Sequence, residues 1–262
     1  MIEKAIKKWW FYVIVLLLAF IPSITQKTVS PDKISLIIKE VLQNPLAYKI
    51  KFLFPIAKII LILIILGPII WKNSFKKTFA LLFSSLMMII TIFQNISLET
   101  QFGYAILLGN ILILMVVTIF WIYEIKVQKN DFSKLQINRW KMICLFLGFF
   151  AFWMPAKNGF LHFSVRDILM NKAGLTYCMI TPVVLAILLL YFPNINKATL
   201  RVTAFIGLYF GIMNMITWFV ITKEFWWIGV LHLPLLVISF TGLILSKSMS
   251  SISLKKDFKT RI

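Results

Sequence analysis

A chain of 262 residues that is 60% hydrophobic and only 14% charged does not suit a water-soluble domain. Soluble folds are nearer half apolar and a quarter charged, and they must still turn a largely polar face to water. The formal net charge of +19 would suggest nucleic acid in such a fold. Here the Lys and Arg residues lie almost wholly between long apolar runs, which assigns them to membrane orientation and lipid headgroups and argues against a nucleic-acid partner.

A membrane helix needs about 20 mostly apolar residues. The first apolar run, 9–25, follows Lys4, Lys7 and Lys8 and ends at Ile21-Pro22-Ser23. No small-x-small cleavage site follows it, so it reads as an uncleaved first helix rather than a signal peptide. A long connection comes next. Its Ile34, Ile37, Ile38, Val41 and Leu42 form a helical stripe after Ser30-Pro31 and before Asn44-Pro45, which predicts a short amphipathic helix at the outer interface. Apolar runs 52–71 and 78–97 flank a tight basic turn at Lys72, Lys76 and Lys77, and a turn carrying Glu99 leads to the run 102–123. The run 140–154 precedes a second long connection. There Ser164-Val165-Arg166-Asp167 has capping-box spacing ahead of Ile168 and Leu169, which predicts a second short helix. The runs 173–192, 199–221 and 225–246 and a basic segment, 249–262, complete the chain.

These runs predict an all-α integral membrane protein with eight transmembrane helices. With the first end inside, the inner connections hold 18 Lys and Arg residues and the outer ones nine; Lys58, within the second helix and expected to snorkel outward, completes the 28. That bias places both termini in the cytoplasm of a multi-pass cell-membrane protein. At a spacing of 125 residues Pro68 matches Pro193, Lys72 matches Lys197, Lys76 matches Arg201, Thr78 matches Thr203 and Glu99 matches Glu224. At spacings of 133 to 135, Pro22 matches Pro155, Ser30 matches Ser164 and Asp32 matches Asp167. The expectation is two tandem, parallel four-helix repeats, 1–130 and 131–248, followed by a basic cytoplasmic tail at 249–262.

Few polar groups fall within the apolar runs, and intramembrane polar groups are functional candidates by default. His232 lies roughly 12 Å into the last helix at about 1.5 Å per residue, and Asn214 lies at a similar depth in the preceding antiparallel helix. Asn110 and the Gln94-Asn95 pair give the first half its own polar group. His232, Asn214, Asn110, Glu99 and Glu224 are therefore the candidate substrate-binding residues. The structural alternative is interhelical hydrogen bonding for the first three and pairing with nearby lysines for the two glutamates. Asp32 and Asp167 suit helix N-termini. Cys144 and Cys178 fall near opposite ends of successive helices, too far apart to pair. Most tryptophans, among them Trp9, Trp10, Trp71, Trp121, Trp140 and Trp226, mark helix ends as an aromatic belt. Two histidines make no metal or haem site, and no zinc cluster, phosphate loop or dinucleotide glycine pattern occurs, so no cofactor is expected.

Three functions follow as expectations. The first is a transporter, or the membrane subunit of a transport complex whose ATPase, if it needs one, is a separate chain. The second is a non-transporting module (sensor, immunity factor or assembly partner) that meets a partner protein through its outer amphipathic segments. The third is an intramembrane enzyme acting on lipid through Asp167, Arg166, His162 and Glu224; no catalytic set of recognisable spacing supports it, so the chain reads as a non-enzyme.

Overall fold

In the computed structural model, which describes residues 2–157 and 160–259, each of the eight apolar runs contains a helix. After a short α1 (Ile2–Ala5), α2 spans Trp9–Leu17 and tightens into a 3-10 turn through Phe20. The amphipathic stripe forms α3 (Ile34–Gln43), and a single turn, α4 (Leu46–Lys49), leads into α5 (Leu53–Trp71). A 3-10 turn at Lys72–Phe75, entered with Lys72 at φ 48°, folds the chain back into α6 (Lys76–Phe93). The reversal shows in the contacts. Tyr48, before α5, reaches Thr176 at 2.9 Å, and Gln94, after α6, accepts from the backbone N–H of Tyr177 at 2.9 Å. α7 (Leu108–Val127), α8 (Arg139–Trp153), the one-turn α9 (Asp167–Met170), α10 (Tyr177–Tyr191), α11 (Lys197–Met215) and α12 (Trp226–Lys259) follow. The segment 249–262 continues α12 as far as Lys259; residues 260–262 lie outside the described residues.

By length and apolarity, four helical stretches suit a membrane crossing: Leu53–Phe93, which is α5 and α6 together, Leu108–Val127, Lys197–Ile221 and Lys223–Lys247. A fifth is counted if Asp167–Leu175 and Tyr177–Tyr191, bent by 101° at their junction, form one broken span. The protein is thus all-α in architecture, with helices suited to a bilayer. The shorter α2, α8 and α10 pack beside them.

The core centres on α10. Every residue from Tyr177 to Tyr191 except Cys178 is buried, enclosed by α5, α8, α11 and α12. α11 lies close along α12, because Gly207 and Gly211, four residues apart, put no side chain between them; a Cβ on Gly211 would lie 3.0 Å from the Leu236 Cα. Such small-residue spacing is a means of close helix packing where lipid removes the hydrophobic drive. Trp121, expected in the belt, is instead sealed in the core, its indole N–H donating to Thr203 at 2.9 Å. Trp9, Trp10, Trp71, Trp140 and Trp226 are exposed.

The bundle has two polar ends. One carries a three-stranded antiparallel sheet that the helix-only reading missed: β1 (Ile24–Thr25), β2 (Ile96–Thr100) and β3 (Gly103–Ile106), in the order β1-β3-β2. The run 78–97 stops short at Phe93, where Asn95 folds back onto the Thr91 carbonyl, and the run 102–123 becomes helical only at Leu108. Gly103, at φ 80°, lets the β2–β3 turn close. Ile37 and Val41 of α3 pack on Phe102, Ala105 and Leu107 of this sheet. A second hairpin, β4 (Ala156–Lys157) with β5 (Phe160–Leu161), stands at the same end. The second amphipathic helix is no more than the single turn α9, because the Lys172–Leu175 stretch that follows is 3-10.

The tandem repeat finds no counterpart in the packing. Pro68 lies inside α5, whereas Pro193 follows the end of α10. Thr78 is exposed, whereas Thr203 is buried against Trp121. Glu99 lies on a strand and Glu224 in the 3-10 turn Lys223–Phe225.

Candidate functional site

The predicted polar pair lies where α11 changes character beside α12. α11 passes at Ile216 into a π-helix, Ile216–Ile221, a widened coil that is rare and frequent at functional sites. The widening keeps Trp218 one turn beyond Asn214, and its indole N–H donates to the Asn214 Oδ1 at 3.3 Å. The Asn214 amide in turn donates to the Phe210 carbonyl at 2.7 Å and meets the Cys178 Sγ at 3.4 Å. On α12, His232 Nδ1 lies 2.8 Å from the Ile228 carbonyl one turn back. The Trp218 and His232 rings are stacked, 6.4 Å apart and 27° from parallel. Gly229 permits this approach, since a Cβ there would lie 2.7 Å from the Phe219 ring. Asn214 and His232 are therefore brought together, but through Trp218 rather than by direct contact.

The hydrogen bonds define what chemistry remains. A carbonyl only accepts, so Nδ1 carries a proton; burial with no carboxylate partner among the described residues favours the neutral ring, whose lone pair is then at Nε2. His232 is 9% exposed, and among the described residues its Nε2 has no partner. Asn214 and Trp218 have their donors engaged. The cluster thus presents an acceptor with no partner among the described residues, His232 Nε2, beside the Trp218 ring.

The remaining candidates lie elsewhere. Asn110, half-buried near the start of α7, makes no hydrogen bond among the described residues. Gln94 and Asn95 hold the ends of α6 and α10 in place. Glu99 forms an ion pair with Lys49 at 2.5 Å on the rim of a shallow cleft lined by Asn44, Pro45 and Tyr48. Burial and the cost of desolvating a phenolate push the Tyr48 hydroxyl up to about 12. Glu224 is exposed, with no ion pair among the described residues. The Asp32 carboxyl is held below its ordinary range by hydrogen bonds, first from Ser30. His162 and Asp167 do meet, at 2.9 Å, yet no hydrogen bond joins either to a serine, threonine or cysteine hydroxyl or thiol among the described residues. Cys144 and Cys178 are both free.

Lys58 and Glu124, two of the buried charges, are respectively misplaced by sequence reasoning and not weighed by it. Lys58 does not snorkel; it is 0% exposed. Its ammonium donates to the Phe152 carbonyl and lies 4.3 Å from the centre of the Phe152 ring. Phe152 is in the last turn of α8, the negative end of that helix, where a cation is favoured. Asn171 completes the arrangement by donating to the next carbonyls, Trp153 at 2.5 Å and Met154 at 3.1 Å. At the opposite end of the bundle Glu124 is also buried. It accepts from the Asn130 backbone at 2.8 Å and from the Asn196 amide, while Asn196 caps α11. Asn73, Asp131 and Asn194 extend this polar clasp. The asparagines within the basic connections, Asn73, Asn130, Asn194 and Asn196, were the visible signal, since capping residues cluster where helix ends are buried.

No known family, no curated protein and no solved structure matches this chain.

Proposed function

We propose that the protein crosses the cell membrane eight times, with both termini on the basic, cytoplasmic side, and acts as a transporter or as the membrane subunit of a transport complex. The substrate would bind beside Asn214 and His232. What carries this reading is a partly buried polar cluster beside an interrupted helix. Transport proteins bind substrates where membrane helices are interrupted, near the bilayer midplane. Here the interruption is the π-helical end of α11, facing Pro234-bearing α12, and the 101° break before α10 is a second one. α10 fills the axis of the bundle, so a route would run between helices that separate rather than through a standing pore. The duplication of a four-helix unit rests on the sequence spacings of 125 and 133 to 135 residues alone.

Substituted-cysteine labelling tests the topology: Lys77 and Gln128 should label from the cytoplasm, Gln101 and Glu224 from outside. Uptake of a labelled solute panel into proteoliposomes tests the activity. His232→Phe and Asn214→Ala should each lower the flux of the transported solute at least about tenfold, and undiminished flux in both would remove the site.

A second reading has its own observation. α3 buries Ile37 and Val41 on the sheet but leaves Ile34, Ile38 and Leu42 exposed on another face. A non-transporting assembly role would use that row against a partner, and photo-crosslinks from Ile38 to a discrete protein, with no solute flux, would favour it.

A further inference from the structure

We propose that the Asn214–Trp218–His232 cluster is a binding site for a membrane-dissolved alcohol or phenol, an apolar molecule whose single hydroxyl donates to His232 Nε2. The inference rests on the same cluster as the transport reading and assigns its ligand class. The hydrogen-bond accounting carries it. Nδ1–H is committed to Ile228, the Trp218 N–H to Asn214, and the Asn214 amide to Phe210 and Cys178. Among the ring and amide nitrogens of the cluster, His232 Nε2 is the one with no hydrogen bond among the described residues, and it offers a lone pair, so the complementary group is a donor. An anion or a carbonyl compound would find only occupied donors, and a metal ion would find too few ligands: among the described residues no group of three His, Cys, Asp or Glu side chains converges.

The surroundings define the rest of the ligand. Trp218 and Asn214 are half-buried, and Ile216, Phe219 and Val220 of the π-helix are exposed on the outer surface of the bundle. In a bilayer that surface meets lipid, so the approach is lateral and favours a molecule already dissolved in the membrane. The stacked indole and imidazole supply an aromatic wall, to which a phenol ring or an alkyl chain is matched. Nε2 is not among the sealed, unpartnered polar atoms, as Tyr177 Oη and Ser239 Oγ are, and so remains reachable. Donation to it would leave every polar group of the cluster satisfied.

The test uses the full chain in phosphatidylcholine nanodiscs with 4-octylphenol and its methyl ether, which has the same body but no donor. Compared at equal mole fraction in the lipid, the phenol should bind the wild type roughly three- to tenfold more tightly than the ether, the range a single net hydrogen bond supplies. In 15N-histidine spectra, assigned with His162→Gln, the Nε2 resonance of His232 should move with the phenol and not with the ether. His232→Phe keeps the stacked ring and should bind both compounds alike; if it does not fold, the wild-type spectra decide alone. Equal binding of the two compounds to wild type, an unmoved Nε2 resonance, or a phenol preference that survives His232→Phe would overturn the proposal. Loss of flux in His232→Phe without any phenol preference would overturn this assignment and keep the transport reading. A phenol preference without flux in any solute assay would do the reverse.

Discussion

α5 and α10 are alike in sequence, each an apolar helix with an internal proline ahead of a basic turn, yet they are packed in opposite ways. α10 is buried on every side. α5 buries one stripe, Ala57, Lys58, Leu61, Ile64, Gly67 and Pro68, and exposes Ile56, Ile59, Leu63, Leu66 and Ile70. Both are strongly apolar and neither has a marked polar face. The contrast teaches that apolarity in such a chain reports compatibility with a bilayer, not position within the bundle, because lipid and protein core are equally good solvents for Leu and Ile.

The largest expected effect breaks the comparison most directly. Leu188→Ala in α10 should destabilise the bundle by roughly 2–5 kcal/mol, whereas Ile59→Ala on the exposed face of α5 should cost less than about 1 kcal/mol. Denaturation in mixed micelles reads both, and equal losses would mean that α10 is not the enclosed helix. Next comes the one charge in the buried stripe of α5. Lys58→Ala should cost roughly 2–4 kcal/mol by opening a cavity and orphaning the Phe152 carbonyl, while Lys58→Met, which keeps the stem, should cost less than half as much. Indifference to both would return Lys58 to the surface.

The turns that follow the two helices give smaller effects. Asn196→Ala, after α10, removes both the α11 cap and a donor to buried Glu124, and should cost about 1–3 kcal/mol. At the other end of the bundle, Glu99→Gln breaks only the exposed pair with Lys49 and should cost at most about 1 kcal/mol, less in high salt. The smallest effect is one of pH. Hydrogen bonds from Ser133 and Asn73 hold the Asp131 carboxyl below its ordinary range. Its stabilisation is present above the unfolded value of about 3.9 and is lost as pH falls through the lower folded value. Asp131→Asn should flatten the acid limb of a stability–pH curve, and an unchanged limb would show that the clasp does not depend on that charge.

Part of the site was legible and part was not. The depth argument brought Asn214 and His232 to adjacent helices, since antiparallel helices of known rise place equal depths side by side. It gave no sign that Trp218 stands between them, because Trp218 is aimed by a π-helix that lies close against Gly229, and depth along an ideal helix does not register that widening. The outer lysines made a partner for Glu99 plentiful, and Lys49 is that partner. Lys58 was misplaced because a lysine stem on an apolar helix can reach either a headgroup or a helix end, and only the end of α8 beside it decides. The β2–β3 hairpin was missed because its strands are short and overlap the ends of two apolar runs, so Ile96, Ser97 and Gly103–Ile106 read as helix. The Gly207–Gly211 spacing was readable in the sequence and was not used.

The sequence alone determines that this chain is built of apolar helices divided by basic turns, because long uncharged runs leave backbone groups no partner in lipid but one another. It also determines which few polar groups stand out against that background. The tertiary structure decides which helix is enclosed, where the runs break into strands, 3-10 turns and a π-helix, and which buried charges find partners. Those choices depend on the shape of neighbouring side chains and on single hydrogen bonds between distant residues, and hydropathy, the same for lipid-facing and core-facing leucines, carries no record of them.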